Sequence, residues 1–312
     1  MNYGDIIRDA FRITWRNKFL WFFGFFAAGG GGGSNFFNFP SNFEGTGDMS
    51  GAGQWLNNNV VAVLVIVGIV VLVLVVLFIV LSLISAGGLT ESVAAIDAGE
   101  RRRFSTTWRA GTANFWRVLL QVILFFLIGL GLLLLLLLVA GLPIGLTFAL
   151  TEAVGARIAV AVLFGVLGLL LLVLVFIPLS IIGQYALREL VVDRERVARS
   201  IAAGYGLFRR NVGRSLLVWI IAIAINIAIG IAMLIVLLIA GLILFLPTII
   251  LAFNEYATAA VATGVIAGLI FLPILLVLSG AVGTFSHAYW TLAYLRLTNR
   301  PGGAPAAQSA VA

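Results

Sequence analysis

The chain has 312 residues, of which 62% are hydrophobic and only 10% charged, with a net charge of +7. A soluble domain meets water with roughly 25% charged residues, so most of this surface must face lipid. The chain has no cysteine and a single histidine, His287, which excludes disulfides, thiolate nucleophiles and metal sites built on Cys or several His ligands.

At the start, Tyr3, Ile7, Phe11 and Trp15 share one face at helical spacing, and Asp5, Asp9, Arg12 and Arg16 share another. This predicts an amphipathic helix. Phe19–Gly33 follows, short and glycine-rich, flanked by Trp15, Trp21, Phe36, Phe37 and Phe39 in the manner of an interfacial aromatic belt. It reads as a retained first span; a cleaved signal peptide is the rival reading. About 20 apolar residues suffice to cross a bilayer, and Val60–Ile84 is the first segment that meets this clearly. A second amphipathic segment carries Phe104, Trp108 and Phe115 on one face, with Ser105 as N-cap. It leads into spans at Val118–Leu142 and Ile158–Leu187. A third, with Ile201, Tyr205, Phe208 and Val212, leads into Ser215–Leu246 and Ala257–Leu295. The last is longer than one span and contains Pro273, which predicts a kink or tilt. The small, uncharged tail Pro301–Ala312 reads as disordered.

Asn17, Asn114 and Asn211 stand 97 residues apart, and so do Ile7, Phe104 and Ile201. The pairs Leu81-Ser82, Leu179-Ser180 and Leu278-Ser279 recur near the same offset. The expected fold is therefore all-α and membrane-integral, a single domain over residues 1–300 with about six transmembrane helices. It divides into three repeats, about 1–97, 98–194 and 195–295, each an amphipathic helix and two spans. An even number of spans per unit makes the repeats parallel rather than inverted.

In this six-span arrangement 18 of the 19 Lys and Arg residues fall on one side, with only Arg157 opposite. The positive-inside rule makes that side cytoplasmic and places both termini there, in the cell (inner) membrane. The charge is thus a topology signal, and nucleic acid is not an expected partner.

No Asp, Glu, Lys or Arg lies inside a clear span, which argues against a proton relay or a charged-substrate path. The polar residues left in the spans are Gln121, Asn226, Ser82, Ser180, Ser279, Gln184, Thr284, Ser286 and His287, fit for interhelical hydrogen bonds. Gly264 and Gly268 form a GxxxG, a sign of close helix packing. The run Gly29–Gly33 lacks the Lys-Ser/Thr of a phosphate loop. No nucleophile elbow, HExxH or carboxylate pair is present, so no catalytic residue, metal or cofactor is expected. Candidate lipid-headgroup contacts are Arg101, Arg102, Arg103, Trp108, Arg109, Arg209 and Arg210, since aromatic and basic faces together suit a headgroup boundary. Asn17, Asn114 and Asn211 form a candidate structural site related by the repeat, one amide at each helix-to-span junction.

The opening Ile6-Ile7-Arg8-Asp9-Ala10-Phe11, then Trp15-Arg16-Asn17-Lys18-Phe19-Leu20-Trp21, with the basic loops and spans, resembles a broad group of bacterial polytopic proteins. These are similar to the membrane domain attached to some glycerophosphoryl diester phosphodiesterases. The phosphodiesterase barrel and its acidic metal ligands are absent here, so the resemblance implies a membrane module without that activity. The expected function is a non-enzymatic, lipid-interacting scaffold or accessory subunit of a membrane complex. Its partners are membrane lipids, other membrane subunits or a second copy. The alternative is a channel or carrier for a neutral or lipidic substrate, and a continuous cavity lined by Ser82, Ser180, Ser279, Gln184 or His287 would favour it.

Overall fold

The computed structural model describes residues 2–31, 50–254 and 256–299, and among these every regular element is a helix. In chain order they are α1 (Tyr3–Arg16), α2 (Leu20–Gly31), α3 (Ser50–Asp97), α4 (Phe104–Leu150), α5 (Val154–Val191), α6 (Val197–Arg210), α7 (Val212–Phe253) and α8 (Ala257–Leu297). Five of them (α3, α4, α5, α7 and α8) are long and apolar enough to cross a membrane. The sixth expected span, Phe19–Gly33, falls on α2, of which 12 residues are described, about 18 Å at 1.5 Å per residue. Gly32 and Gly33 of that expected span, and the tail Pro301–Ala312, lie outside the described residues.

Helices neighbouring in the chain pack in pairs, α2 with α3, α4 with α5, and α7 with α8. Further contacts join α1 and α2 to α8, the basic half of α4 to α3, and α6 to α5, whereas α5 and α7 hardly touch. Arg296 binds both carboxylate oxygens of Asp97 (3.0 and 3.1 Å) and reaches Asp9 at 3.7 Å. This places α1 and the C-terminal ends of α3 and α8 at one end of the molecule, the basic end.

Packing is concentrated near that end. Ile6, Leu20, Phe23, Leu89, Tyr185, Tyr289, Leu292 and Tyr294 form one buried cluster. Tyr289 donates its hydroxyl to the Val218 carbonyl at 3.0 Å, which satisfies the polar tip that its burial would otherwise strand. Three glycines let α2 and α8 touch backbone to backbone. A Cβ at Gly24 would lie 2.1 Å from the Gly280 carbonyl oxygen, one at Gly280 2.3 Å from that of Trp21, and one at Gly283 2.0 Å from that of Gly24. Thr284 bridges the same seam, donating to Leu20 O at 2.9 Å and Gly280 O at 2.8 Å. The other halves of the long helices, with Leu64, Leu134, Val162, Leu234 and Leu269 among them, expose their apolar side chains.

The helix-to-span junctions differ from one another. Asn17 and Asn211 end α1 and α6, each as the C-cap residue. At Asn114 there is no break, because α4 runs on from Phe104 through the whole span. The second amphipathic segment is therefore not a separate helix. Its N-cap is Arg103 rather than Ser105: Thr106 Oγ1 accepts from the Arg103 N–H at 2.9 Å and donates to its carbonyl at 2.7 Å.

Candidate functional site

Two features stand out, a basic cleft and a cavity that opens between two of the long helices. The cleft, of about 440 Å³, lies between the ends of α3 and α5 and the first turns of α4. Arg102, Arg109, Arg117 and Arg194 line it, with Glu91 as the one carboxylate in its wall. Arg102 is held at 3.8 Å from Glu91 and 3.0 Å from Glu100. Arg117 donates to the Glu195 carbonyl at 2.5 Å. Asn114 sits at the back, donating to Glu91 Oε2 at 3.0 Å and to Ala110 O at 2.9 Å. Arg194 reaches the cleft from a left-handed backbone conformation, φ +54°, uncommon for a residue with a side chain. Four guanidiniums against one lining carboxylate leave a site suited to anions.

Of the sequence candidates, Arg102 and Arg109 are brought together here, and Asn114 joins them. Arg101 and Arg103 are exposed outside the cleft, as are Arg209 and Arg210 at the end of α6. Trp108 is half-buried, with its ring 6.3 Å from Phe23 and from Phe104, and so packs against α2. In α1 the face turned to the core is Ile6, Ala10 and Ile13, while Phe11 and Trp15 are exposed and stack on each other at 5.8 Å. The three asparagines share one local device. Each donates its amide to the carbonyl four residues back, Ile13 at 2.9 Å, Ala110 at 2.9 Å and Leu207 at 3.3 Å. No hydrogen bond among the described residues links one of them to another, so they do not form a ring of amides.

The cavity, of about 550 Å³, occupies the gap between α5 and α7 and is closed behind by α2 and α8. Ser180, Gln184, Arg188, Asn226, Ser286 and His287 line it. A second space of about 350 Å³ adjoins it, sharing Ser180, Gln184 and His287, and is otherwise mostly apolar: Leu83, Val122, Phe125, Phe176, Leu179 and Leu187. Ser82 opens onto this second space; Ser279 opens onto neither.

Arg188 corrects an expectation. By sequence it counts among the loop arginines that follow a span, yet α5 continues to Val191 and Arg188 is completely buried. Its Nη1 donates to the Gln184 backbone carbonyl at 2.8 Å and to the Gln184 side-chain oxygen. Its Nε and Nη2 have no hydrogen-bond partner, nor has His287 Nδ1. A buried guanidinium without a carboxylate is costly, so its position needs a reason.

Residues 15–300 match the model of a family of unknown function, DUF7544. The chain belongs to that family. The match takes in both the cleft and the cavity of this DUF7544 chain. No curated protein and no solved structure matches it. The signal that could have found Arg188 is local: Gln184 and Arg188 share a helical face, and Leu190-Val191 carry the apolar pattern past the charge.

Proposed function

We propose that the protein is a non-enzymatic integral component of the cell (inner) membrane that holds anionic lipid headgroups at its basic end, as a lipid-interacting scaffold or accessory subunit. The observation that carries this is the cleft of Arg102, Arg109, Arg117 and Arg194 at the foot of five helices long and apolar enough to cross a bilayer. Near an anionic leaflet each basic side chain contributes about 1 kcal/mol. The resemblance of the opening segment to the membrane domain of glycerophosphoryl diester phosphodiesterases is in keeping with such a module. The double variant Arg109→Gln with Arg194→Gln tests it, with retained lipids read by native mass spectrometry. Retention of anionic lipid should fall by about tenfold or more, and far less in Arg209→Gln with Arg210→Gln. Full retention in the cleft variant would sink the reading.

Six crossings with both termini cytoplasmic fit this arrangement. Helix α1 and the C-terminal end of α3 lie together, so the N-terminal end of α3 lies far off, about 70 Å along a helix of 48 residues. The contacts between α2 and α3 are in keeping with α2 as the outward crossing and α3 as the return. Reporter fusions at Glu152 and Glu255 should read outside, and those at Gly99 and Arg196 cytoplasmic.

The three-unit repeat has support in the contacts. Each amphipathic segment packs on the second span of the unit before it: α1 on α8, the start of α4 on α3, and α6 on α5. At the 97-residue offset Ala10, Thr107 and Gly204 are all buried, and so are Gly24, Gln121 and Val218. In such a ring three span-to-span seams are equivalent. Those of α2 with α8 and α4 with α3 are closed, and that of α7 with α5 is open. The second reading, a carrier for a lipidic substrate, is favoured by the cavity that occupies this open seam.

A further inference from the structure

The geometry points to a second binding site: the open seam between α5 and α7 takes an amphiphile with one anionic group, held by Arg188, its chain running into the adjoining apolar space. The inference rests on the membrane placement proposed above but not on the basic cleft. Three observations carry it. Arg188 is wholly buried in the cavity wall, and two of its three donor nitrogens are unused. A guanidinium offers paired donors that match a carboxylate or a phosphate, and no carboxylate faces it in the cavity. Around it stand polar groups without a carboxylate, Ser180, Gln184, Asn226, Ser286 and His287, of which Gln184 accepts from the guanidinium.

The two spaces have opposite character and are continuous through shared residues. The one at Arg188 is polar; the one beyond Gln184 is walled by Leu83, Val122, Phe125, Phe176 and Leu179. A soluble anion would leave the second space without use, whereas a molecule with an anionic head and an apolar tail fills both. Its route in is lateral, since α5 and α7 hardly touch and their outer halves expose Leu169, Leu170, Leu234 and Leu238. The Gln184 side-chain oxygen, which now accepts from Arg188, is an internal acceptor that the anionic head displaces.

The test uses the full chain in detergent and a diazirine-bearing palmitate, with labelled peptides mapped after illumination. Labels should fall on α5, α7 and the Phe125 turn of α4. Hexadecyl phosphate should compete and hexadecanol should not; the relative strength of palmitate and hexadecyl phosphate tells a carboxylate ligand from a phosphate one. Arg188→Gln should lower labelling about tenfold or more, the loss expected of a charged hydrogen bond, with Arg188→Lys retaining part of it. Gln184→Ala should strengthen it. If Arg188→Gln does not fold, Asn226→Leu at the head and Phe125→Trp at the tail take its place, each checked for monodispersity and each expected to reduce labelling. Equal competition by hexadecanol, labels mapped elsewhere, or wild-type labelling in these variants would overturn the site. The cleft variant Arg109→Gln with Arg194→Gln should label as wild type, so that failure of the cleft and failure of this site are told apart.

Discussion

The two halves of the long helices obey different rules. Near the basic end, Leu20, Leu89 and Leu292 are fully buried. Further out, Leu134, Leu234 and Leu269 are more than half exposed although they belong to segments at least as apolar. The most hydrophobic stretches are thus the least packed. In water this would be untenable, because exposed apolar area costs about 25 cal/mol per Å². In lipid that cost vanishes, since acyl chains solvate leucine as well as another leucine does. Packing then has to come from other causes, and the basic end shows them: glycine seams, buried hydroxyls with carbonyl partners, and ion pairs.

The comparison is broken or sharpened by matched substitutions, read as thermal or denaturant stability in one detergent. The largest effect should come from Leu292→Ala, about 3 kcal/mol for a buried leucine that leaves a cavity, while Leu234→Ala on the exposed half should change stability by less than about 0.5 kcal/mol. Equal losses would show that the outer halves pack against each other or a partner in solution. Gly283→Ala comes next. Its new Cβ would press on the Gly24 carbonyl, and overpacking against backbone costs about 1–3 kcal/mol; Gly268→Ala, with open space around it, should be neutral or stabilising. Tyr289→Phe removes the hydroxyl bound to Val218 O and should cost about 1 kcal/mol, with little change in shape. Smallest is Arg296→Gln. Its ion pairs with Asp97 and Asp9 are part-exposed, so the loss should stay under about 1 kcal/mol and shrink further in high salt.

Five spans were legible because twenty or more consecutive apolar residues have one common explanation. Helix α2 was only half legible: Phe19–Gly33 marked a membrane-type segment, but its glycine contacts with α8 depend on residues some 260 positions away. The GxxxG of Gly264 and Gly268 drew notice, yet the helix seam that matters runs through Gly24, Gly280 and Gly283. Glycine spacing signals the possibility of close approach without saying which partner exists. At the site, Arg102 and Arg109 form a basic face by sequence, but Arg117 joins them through the unbroken continuation of α4 and Arg194 through the turn after α5. Arg188 was hidden for a different reason. A charge at the edge of an apolar run is ordinarily a flank, and only tertiary packing buried it.

The continuity of α4 at Asn114 has a mechanical consequence. Arg109, Arg117, Gln121 and Phe125 ride on one unbroken rod, so the basic cleft and the apolar space beside Gln184 are fixed to a single lever. A bilayer of different thickness tilts such a helix, and with no joint at Asn114 the tilt must swing the arginines as well. The α6–α7 pair, jointed at Asn211, can absorb the same tilt at its elbow. Spin-label distances from Arg109 to Glu195 should therefore shift between thin and thick bilayers, while those from Ala203 to Glu195 hold still.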